Sequence, residues 1–256
     1  MPELTPLHAD HAPAVLAFEL ASRAYFAASI SDRGDGFFER FDEQFRDRLD
    51  EQATGDGAFY LLVDEPDGSV LGRFNLVDLA DGGAVLGYRV AQRVAGRGVA
   101  SATVRRLCRL AAVRHGLREL RAAVSHQNVA SQRVLANAGF TPVGPAGPAD
   151  LGGKEGTWYR RELAEAGRGL APLVASLTAL AAEAPAPSAR IAADFDRARR
   201  LAGPAPDAEV LAELTATGEA LRGPDGSRAA RVPARRALTA LLGSWRLPLP
   251  ELRGPA

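Results

Sequence analysis

The stretch Gly87-Tyr-Arg-Val-Ala-Gln-Arg-Val-Ala-Gly-Arg-Gly-Val-Ala-Ser101 decides how this chain is read. Its first half is strand-like, and its end opens an amphipathic helix with Val104, Leu107, Cys108 and Ala111 on one face. Gly96-Arg-Gly98 lies between them. Glycines there let the backbone turn tightly and aim successive N–H groups at one point. The free donors and positive end of the helix that follows complete an anion site suited to a pyrophosphate; taken alone, so short a glycine pattern reads equally as a tight strand–helix turn that binds nothing. Two nucleotide-binding patterns fit poorly. A dinucleotide fingerprint wants a third small residue at position 101, where Ser101 stands, and an acidic residue ending the next strand, whereas Glu119 begins it. The Lys-Ser/Thr pair of a P-loop is absent.

Working outward, residues 3–7 read as a strand and Ala9–Arg23 as an amphipathic helix. A second helix is expected over Phe37–Gln52, with Phe38, Phe41, Phe45 and Leu49 at helical spacing. Strands Phe59–Val63 and Val70–Val77 flank the turn Asp64-Glu-Pro-Asp-Gly68, and Ala84–Ala91 completes an antiparallel meander. Downstream, the helix Gly98–Arg114 stops at His115-Gly116. Then come a strand Leu117–Ser125, a helix Asn128–Ala138, a strand Phe140–Val143, a loop Gly144–Gly156 and a last strand Thr157–Leu163. The pattern is that of a mixed α/β sheet.

The helix after the fifth of these strands carries a second motif, Asn128-Val-Ala-Ser131-Gln-Arg-Val-Leu-Ala-Asn-Ala-Gly-Phe140. With both motifs in order, the sequence resembles the GNAT acetyltransferase superfamily, specifically its ribosomal-protein N-terminal acetyltransferase-like branch. Gly87-Tyr88, the loop Gly96-Arg-Gly-Val-Ala100, Asn128, Ser131 and Gly139-Phe140 carry the likeness, and Gly156–Leu163 is similar to the closing strand. The resemblance covers residues 1–164. It implies a mixed, mostly antiparallel sheet whose two central strands, 84–91 and 117–125, splay apart.

The resemblance further implies that acetyl-CoA is the co-substrate, with its pantetheine arm in that gap. Backbone groups near Val90 would pair with the arm. Ala95, Gly96, Arg97, Gly98, Val99, Ala100 and Ser101 would hold the pyrophosphate. Asn128 would bond the arm, and Ser131 would stand near the thioester sulfur as proton donor, with Tyr88 the next candidate. Arg23, Tyr25 and Phe26 follow the first helix, where relatives line the acceptor groove. Three positions depart from the family: Ala95 replaces the usual Gln or Arg, and Val85 and Val143 stand where many relatives carry Glu. The usual carboxylate bases are therefore missing, and His126 beside Asn128 is the titratable substitute on position. An α-amino group titrates near pH 8, so part of it is neutral at pH 7 and a strong base is not essential. Each residue also has an ordinary reading: a loop histidine, a packed tyrosine, a surface serine, a helix end.

Composition narrows the remainder. Apolar and charged contents of 46% and 24% suit a folded globular chain. The net charge of zero gives no overall field for nucleic acid or anionic membrane. Cys108 is the only cysteine, which excludes an intrachain disulfide, and no His/Cys cluster has metal-ligand spacing. The N-terminus does not resemble a signal peptide, and Leu170–Ala182 is too short to span a bilayer, so a cytoplasmic location is expected.

Beyond Leu163 strand patterns stop, aromatics nearly vanish and alanine rises. An acetyltransferase domain over 1–164 and an all-α extension over 165–256 are expected, with helices near 170–183, 188–202, 207–222 and 234–245. Leu170, Leu173, Val174, Leu177 and Leu180 form one apolar stripe; Leu238, Leu241, Leu242 and Trp245 form another. Arg228, Arg231, Arg235 and Arg236 cluster among acids and read as a solvated face rather than a DNA-reading helix. Such a bundle could pack on the first domain, aid acceptor recognition or form a homodimer. The expected function is N-acetylation of the α-amino group of a protein or peptide by direct acyl transfer. A small-molecule amine as acceptor, or a non-catalytic acyl-CoA-binding module, are the alternatives.

Overall fold

The computed structural model describes residues 2–64, 67–164, 169–182, 208–223, 226–244 and 247–250. The chain forms two compact units, Met1–Cys108 with Glu119–Glu162, and Arg109–Arg118 with Leu163–Ala256.

The first unit is built on a seven-stranded sheet ordered β1-β2-β3-β4-β5-β7-β6. The strands are β1 Glu3–Pro6, β2 Ala58–Val63, β3 Val70–Ala80, β4 Gly83–Val90, β5 Glu119–Ser125, β6 Thr141–Ala146 and β7 Gly156–Glu162. Every neighbouring pair is antiparallel except β4–β5. Strand β2 is buried from Ala58 to Leu62 without alternation, as a strand covered on both faces must be. Pro142 and Pro145 fall on β6 at the sheet edge, where a missing N–H breaks no ladder.

The β4–β5 pair positions the site. The two strands pair only at Gly83–Glu119, Ala84–Leu120 and Val85–Arg121, and the ladder stops before Leu86 and Ala122. The facing edges beyond keep backbone donors and acceptors that need partners from elsewhere. This is the expected splay.

Helices α1 (Ala12–Ala27), α2 (Asp35–Glu39) and α3 (Phe41–Thr54) contribute to an aromatic core with Phe18, Phe26, Phe37, Phe41, Phe45 and Phe59. Two boundaries differ from the periodicity. Helix α1 extends four residues past Arg23, because Phe26 continues the buried series Val15, Phe18, Glu19 and Ser22. The single helix expected over 37–52 is two, divided at Arg40, and the break brings Phe37 rather than Phe38 into the buried set. Helix α4 (Val99–His115) leads into β5, and α5 (Val129–Asn137) joins β5 to β6. Gly116 in the left-handed region, with Leu117 N–H bonded to Ala111 O at 3.1 Å, closes α4 as the sequence anticipates.

In the second unit, α6 (Ala171–Ala181), α7 (Ala208–Arg222) and α8 (Gly226–Ser244) pack with α8 against both others. Leu173, Val174, Leu177 and Leu180 are buried on α6; Ala230, Ala234, Ala237, Leu238, Leu241 and Leu242 are buried on α8. Helix α8 begins eight residues before the expected 234 and carries Pro233 within it. The buried stripe Ala230, Ala234 and Ala237 continues on both sides of that proline. The helix expected over 188–202, and Trp245, lie outside the described residues. Arg228, Arg231, Arg235 and Arg236 are all exposed along α8. No described helix is long and apolar enough to cross a membrane.

His115, at the end of α4, yields a pH prediction. Burial, then the charge of Arg114, lowers its imidazole from 6.5 to about 4. The unfolded chain binds a proton near 6.5 while the fold stays neutral. The stability present above pH 6.5 is therefore lost as pH falls through the window down to about 4, by roughly 3 kcal/mol at most. Urea midpoints between pH 7 and 4.5 should fall less steeply in His115→Gln than in the parent.

Candidate active site

The loop between β4 and α4 has the conformation its glycines permit. Gly96 and Gly98 have φ of +73° and +76°, in the left-handed region, and a Cβ at either would meet nothing within 4 Å. The loop thus faces open space. Ala102 N–H makes a helical bond to Gly98 O at 3.0 Å, so the N–H groups of Val99, Ala100 and Ser101 precede the start of the α4 ladder. A cavity of about 410 Å³ opens in front of them, bounded also by Val90, Asn128 and Ser131.

Asn128 is the N-cap of α5, its Oδ1 accepting from Ser131 N–H at 3.0 Å. That bond commits the carboxamide oxygen and leaves the amide N–H groups as the end it can offer a ligand. Tyr88 reaches across from β4, its hydroxyl 2.7 Å from Ser131 Oγ and its ring stacked on Phe74 at 5.9 Å. Burial pushes the Tyr88 phenol up to about 12, with the Ser131 contact opposing the rise. Tyr88 therefore holds its proton throughout the neutral range.

A second cavity, of about 390 Å³, shares Tyr88, Arg89, Asn128 and Ser131 with the first, together with Ser29 and Ile30. Glu19 lines it, 1% exposed, with Oε1 at 2.5 Å from Arg73 and Oε2 at 3.0 Å from Arg89. The loop 147–155 closes one side. It is tied to the segment after α1 by Ser31 Oγ donating to Gly152 O at 2.6 Å and Lys154 Nζ donating to Ser29 O at 3.2 Å. Among the described residues no group of His, Cys, Asp and Glu could hold a metal ion.

Of the expected cofactor residues, Val90, Ala95, Gly96, Gly98, Val99, Ala100, Ser101, Asn128 and Ser131 line the first cavity, while Arg97 is exposed beside it. Tyr88 and Ser131 stand together where the cavities meet. His126 does not join them. It is exposed, with Nε2 3.5 Å from Thr157 Oγ1, and borders neither cavity. Tyr25 and Phe26 lie inside α1 and line the first cavity, not the second. Arg23 borders neither, being held by Asp32 at 2.6 Å and Asp35 at 2.7 Å. Val85 and Val143 border neither cavity, and Val143 is exposed.

Glu19, Arg73 and Arg89 escaped sequence reasoning. One signal was present: Glu19 is the sole charged residue in the buried series of α1. Arginines on strands gave none, since their partner lies 54 and 70 residues away.

A family model described as Acetyltransferase (GNAT) domain matches residues 3–141. No curated protein matches the sequence. Among solved structures, a ribosomal-protein alanine acetyltransferase from Vibrio fischeri is similar at a TM-score of 0.58 and 16% identity, covering 63% of this chain and 93% of its own. RimJ of Mycobacterium smegmatis, in complex with a CoA disulfide, is similar at 0.56 and 20%, covering 62% and 80%. A spermidine N-acetyltransferase from Vibrio cholerae, with CoA and spermine, is similar at 0.53 and 12%, covering 63% and 95%. At these identities the likeness is one of fold.

Proposed function

Because the chain belongs to the GNAT acetyltransferase family, we propose that it transfers an acetyl group from acetyl-CoA to the α-amino group of a protein or peptide. One observation carries the reading: two cavities, one fronted by the glycine loop and one by an ionic cluster, meet at Tyr88 and Ser131. We retain residues 1–164 as the catalytic domain, since β7 ends at Glu162.

Acetyl-CoA supplies an activated acetyl thioester when bound. The N–H groups of Gly96 to Ser101 hold the pyrophosphate by fixed dipoles, which explains why Ala95 can replace a longer polar residue. The unpaired edges of β4 and β5 and the Asn128 amide orient the arm. Tyr88 and Ser131 hold hydrogen-bond donors at the place where charge develops, already oriented before the acceptor arrives. The acceptor amine enters from the second cavity as the neutral nucleophile. Its nitrogen bonds the acetyl carbon as the C–S bond breaks, its proton passes to water, and CoA leaves as the thiolate, to be protonated by solvent.

Turnover of acetyl-CoA against a panel of peptides and small amines tests this. Transfer to peptide α-amino groups is the expected result. Transfer confined to small amines would favour the small-molecule alternative, and CoA binding without turnover would leave a binding module.

Gly98→Val should weaken CoA binding at least tenfold. A β-branched residue at positive φ costs on the order of 1–2 kcal/mol and drives the peptide units out of the orientation that aims the N–H groups. Calorimetry on the folded variant checks it, and unchanged affinity would remove the pyrophosphate assignment.

A further inference from the structure

The second cavity carries more positive charge than its structure needs. Resting on the acyl-transfer reading, we propose that the acceptor is a peptide with an acidic residue close behind its reactive N-terminal amine, read by Arg33 and Lys154.

Four cations line this cavity, Arg33, Arg73, Arg89 and Lys154, against two carboxylates, Glu19 and Asp150. Glu19 is fully engaged, one oxygen by Arg73 and the other by Arg89. Asp150 Oδ2 accepts from Gly147 N–H at 2.9 Å and from Trp158 Nε1 at 3.3 Å. Among the described residues Lys154 donates to a neutral acceptor, Ser29 O. Arg33 lies with its guanidinium 4.3 Å from the Phe37 ring centre. Neither Arg33 nor Lys154 has a carboxylate within ion-pair distance among the described residues. Arg33 is exposed as a whole residue. Burial and then repulsion from Arg89 bring it down to about 10, so it remains charged at neutral pH.

An independent observation points to a ligand in the same cavity. Ser125, at the end of β5, is 5% exposed, and its Oγ has no hydrogen-bond partner among the described residues. A buried hydroxyl without a partner is costly unless a bound molecule supplies one. Ser125 lines the cavity beside Asn128 and Ser131, where an incoming amine or its adjoining carbonyl would lie.

Two uncompensated cations have two consequences. They attract an anion placed a few ångströms behind the amine, where the cavity wall reduces screening. They also disfavour an ammonium, so the amine is held as the neutral nucleophile. That second effect offsets the missing carboxylates at Val85 and Val143. A polyamine would bring further positive charge into the cavity and is disfavoured on the same ground.

The test measures the affinity of three hexapeptides for the CoA-loaded protein at low salt. They differ only at positions two and three: two aspartates, two alanines or two lysines. The acidic peptide should bind roughly tenfold tighter than the neutral one, and the lysine peptide weakest. Lys154→Glu and Arg33→Glu should each flatten or invert that order, while Ser125→Ala should weaken all three alike. Equal affinities, absence of peptide binding, a preference for lysine, or an acidic preference untouched in both charge variants would overturn the proposal. CoA affinity is read separately in the same samples. A parent chain that binds no CoA removes the acyl-transfer reading itself, whereas CoA binding without acidic preference removes the acceptor proposal alone.

Discussion

Glu19→Ala is expected to lower folding stability by about 3–5 kcal/mol, the usual consequence of removing one partner from a buried ionic cluster. The register explains why the effect should lie at the high end. Arg73 on β3 and Arg89 on β4 are directly paired across the ladder, a placement in which like charges repel. Glu19 projects from α1 between them and takes a bond from each. Without it, two largely buried guanidiniums, at 9% and 19% side-chain exposure, face each other unneutralised. Glu19→Gln keeps the volume and one acceptor oxygen and should lose less. Arg73→Gln in the Glu19→Ala background should recover part of the loss, because it removes the repulsion. Denaturant midpoints check all three. An unchanged midpoint in Glu19→Ala would mean that the strands tolerate the arginine pair unaided.

The same cluster shows what was legible in the sequence and what was not. Glycine and turn residues announce backbone conformation locally, so Gly96, Gly98 and Gly116 marked the loop and the helix end correctly. Apolar periodicity located the strands of the meander and the helices flanking β5, because burial imposes the period directly. It fared less well where a helix break left the period intact, as at Arg40, and where small residues continued a stripe through a proline, as at Pro233.

The site divides along the same line. The residues proposed to act through the backbone, 95–101, lie in one continuous stretch, and all but Arg97 line the first cavity. Tyr88 and Ser131 were each visible within a motif, but their 2.7 Å contact joins residues 43 apart. The second cavity, the proposed acceptor side, is assembled from α1, the segment after it, β3, β4, β5 and the loop before β7. No local pattern encodes such an arrangement. His126 rests on its place beside Asn128 and Arg23 on the resemblance's acceptor groove, and the structure sends one to solvent beside Thr157 and the other into a pair of surface ion pairs.

Tyr88→Phe should lower kcat by about 100-fold while changing CoA affinity less than about twofold, as expected of a group that acts mainly when charge develops. The phenol lies where the two cavities meet and needs no movement to serve both. Its role follows from its acidity. A thiol titrates near 8.5, and a phenol held at about 12 would give up its proton to a thiolate only against a gradient of several units. In the proposed reaction Tyr88 therefore stabilises developing charge by donating a hydrogen bond and keeps its proton. Ser131, at 2.7 Å, relays or orients that donation. Ser131→Ala should also lower kcat more than it weakens CoA binding, but by less than Tyr88→Phe. The double variant should fall short of the product of the two losses, since each removes part of one arrangement. The pH–rate profile separates this role from acid catalysis. With its phenol protonated across the neutral range, Tyr88 should leave the shape of the profile between pH 6 and 9 the same in Tyr88→Phe as in the parent. A limb that disappears on substitution would show instead that Tyr88 titrates in turnover and exchanges its proton.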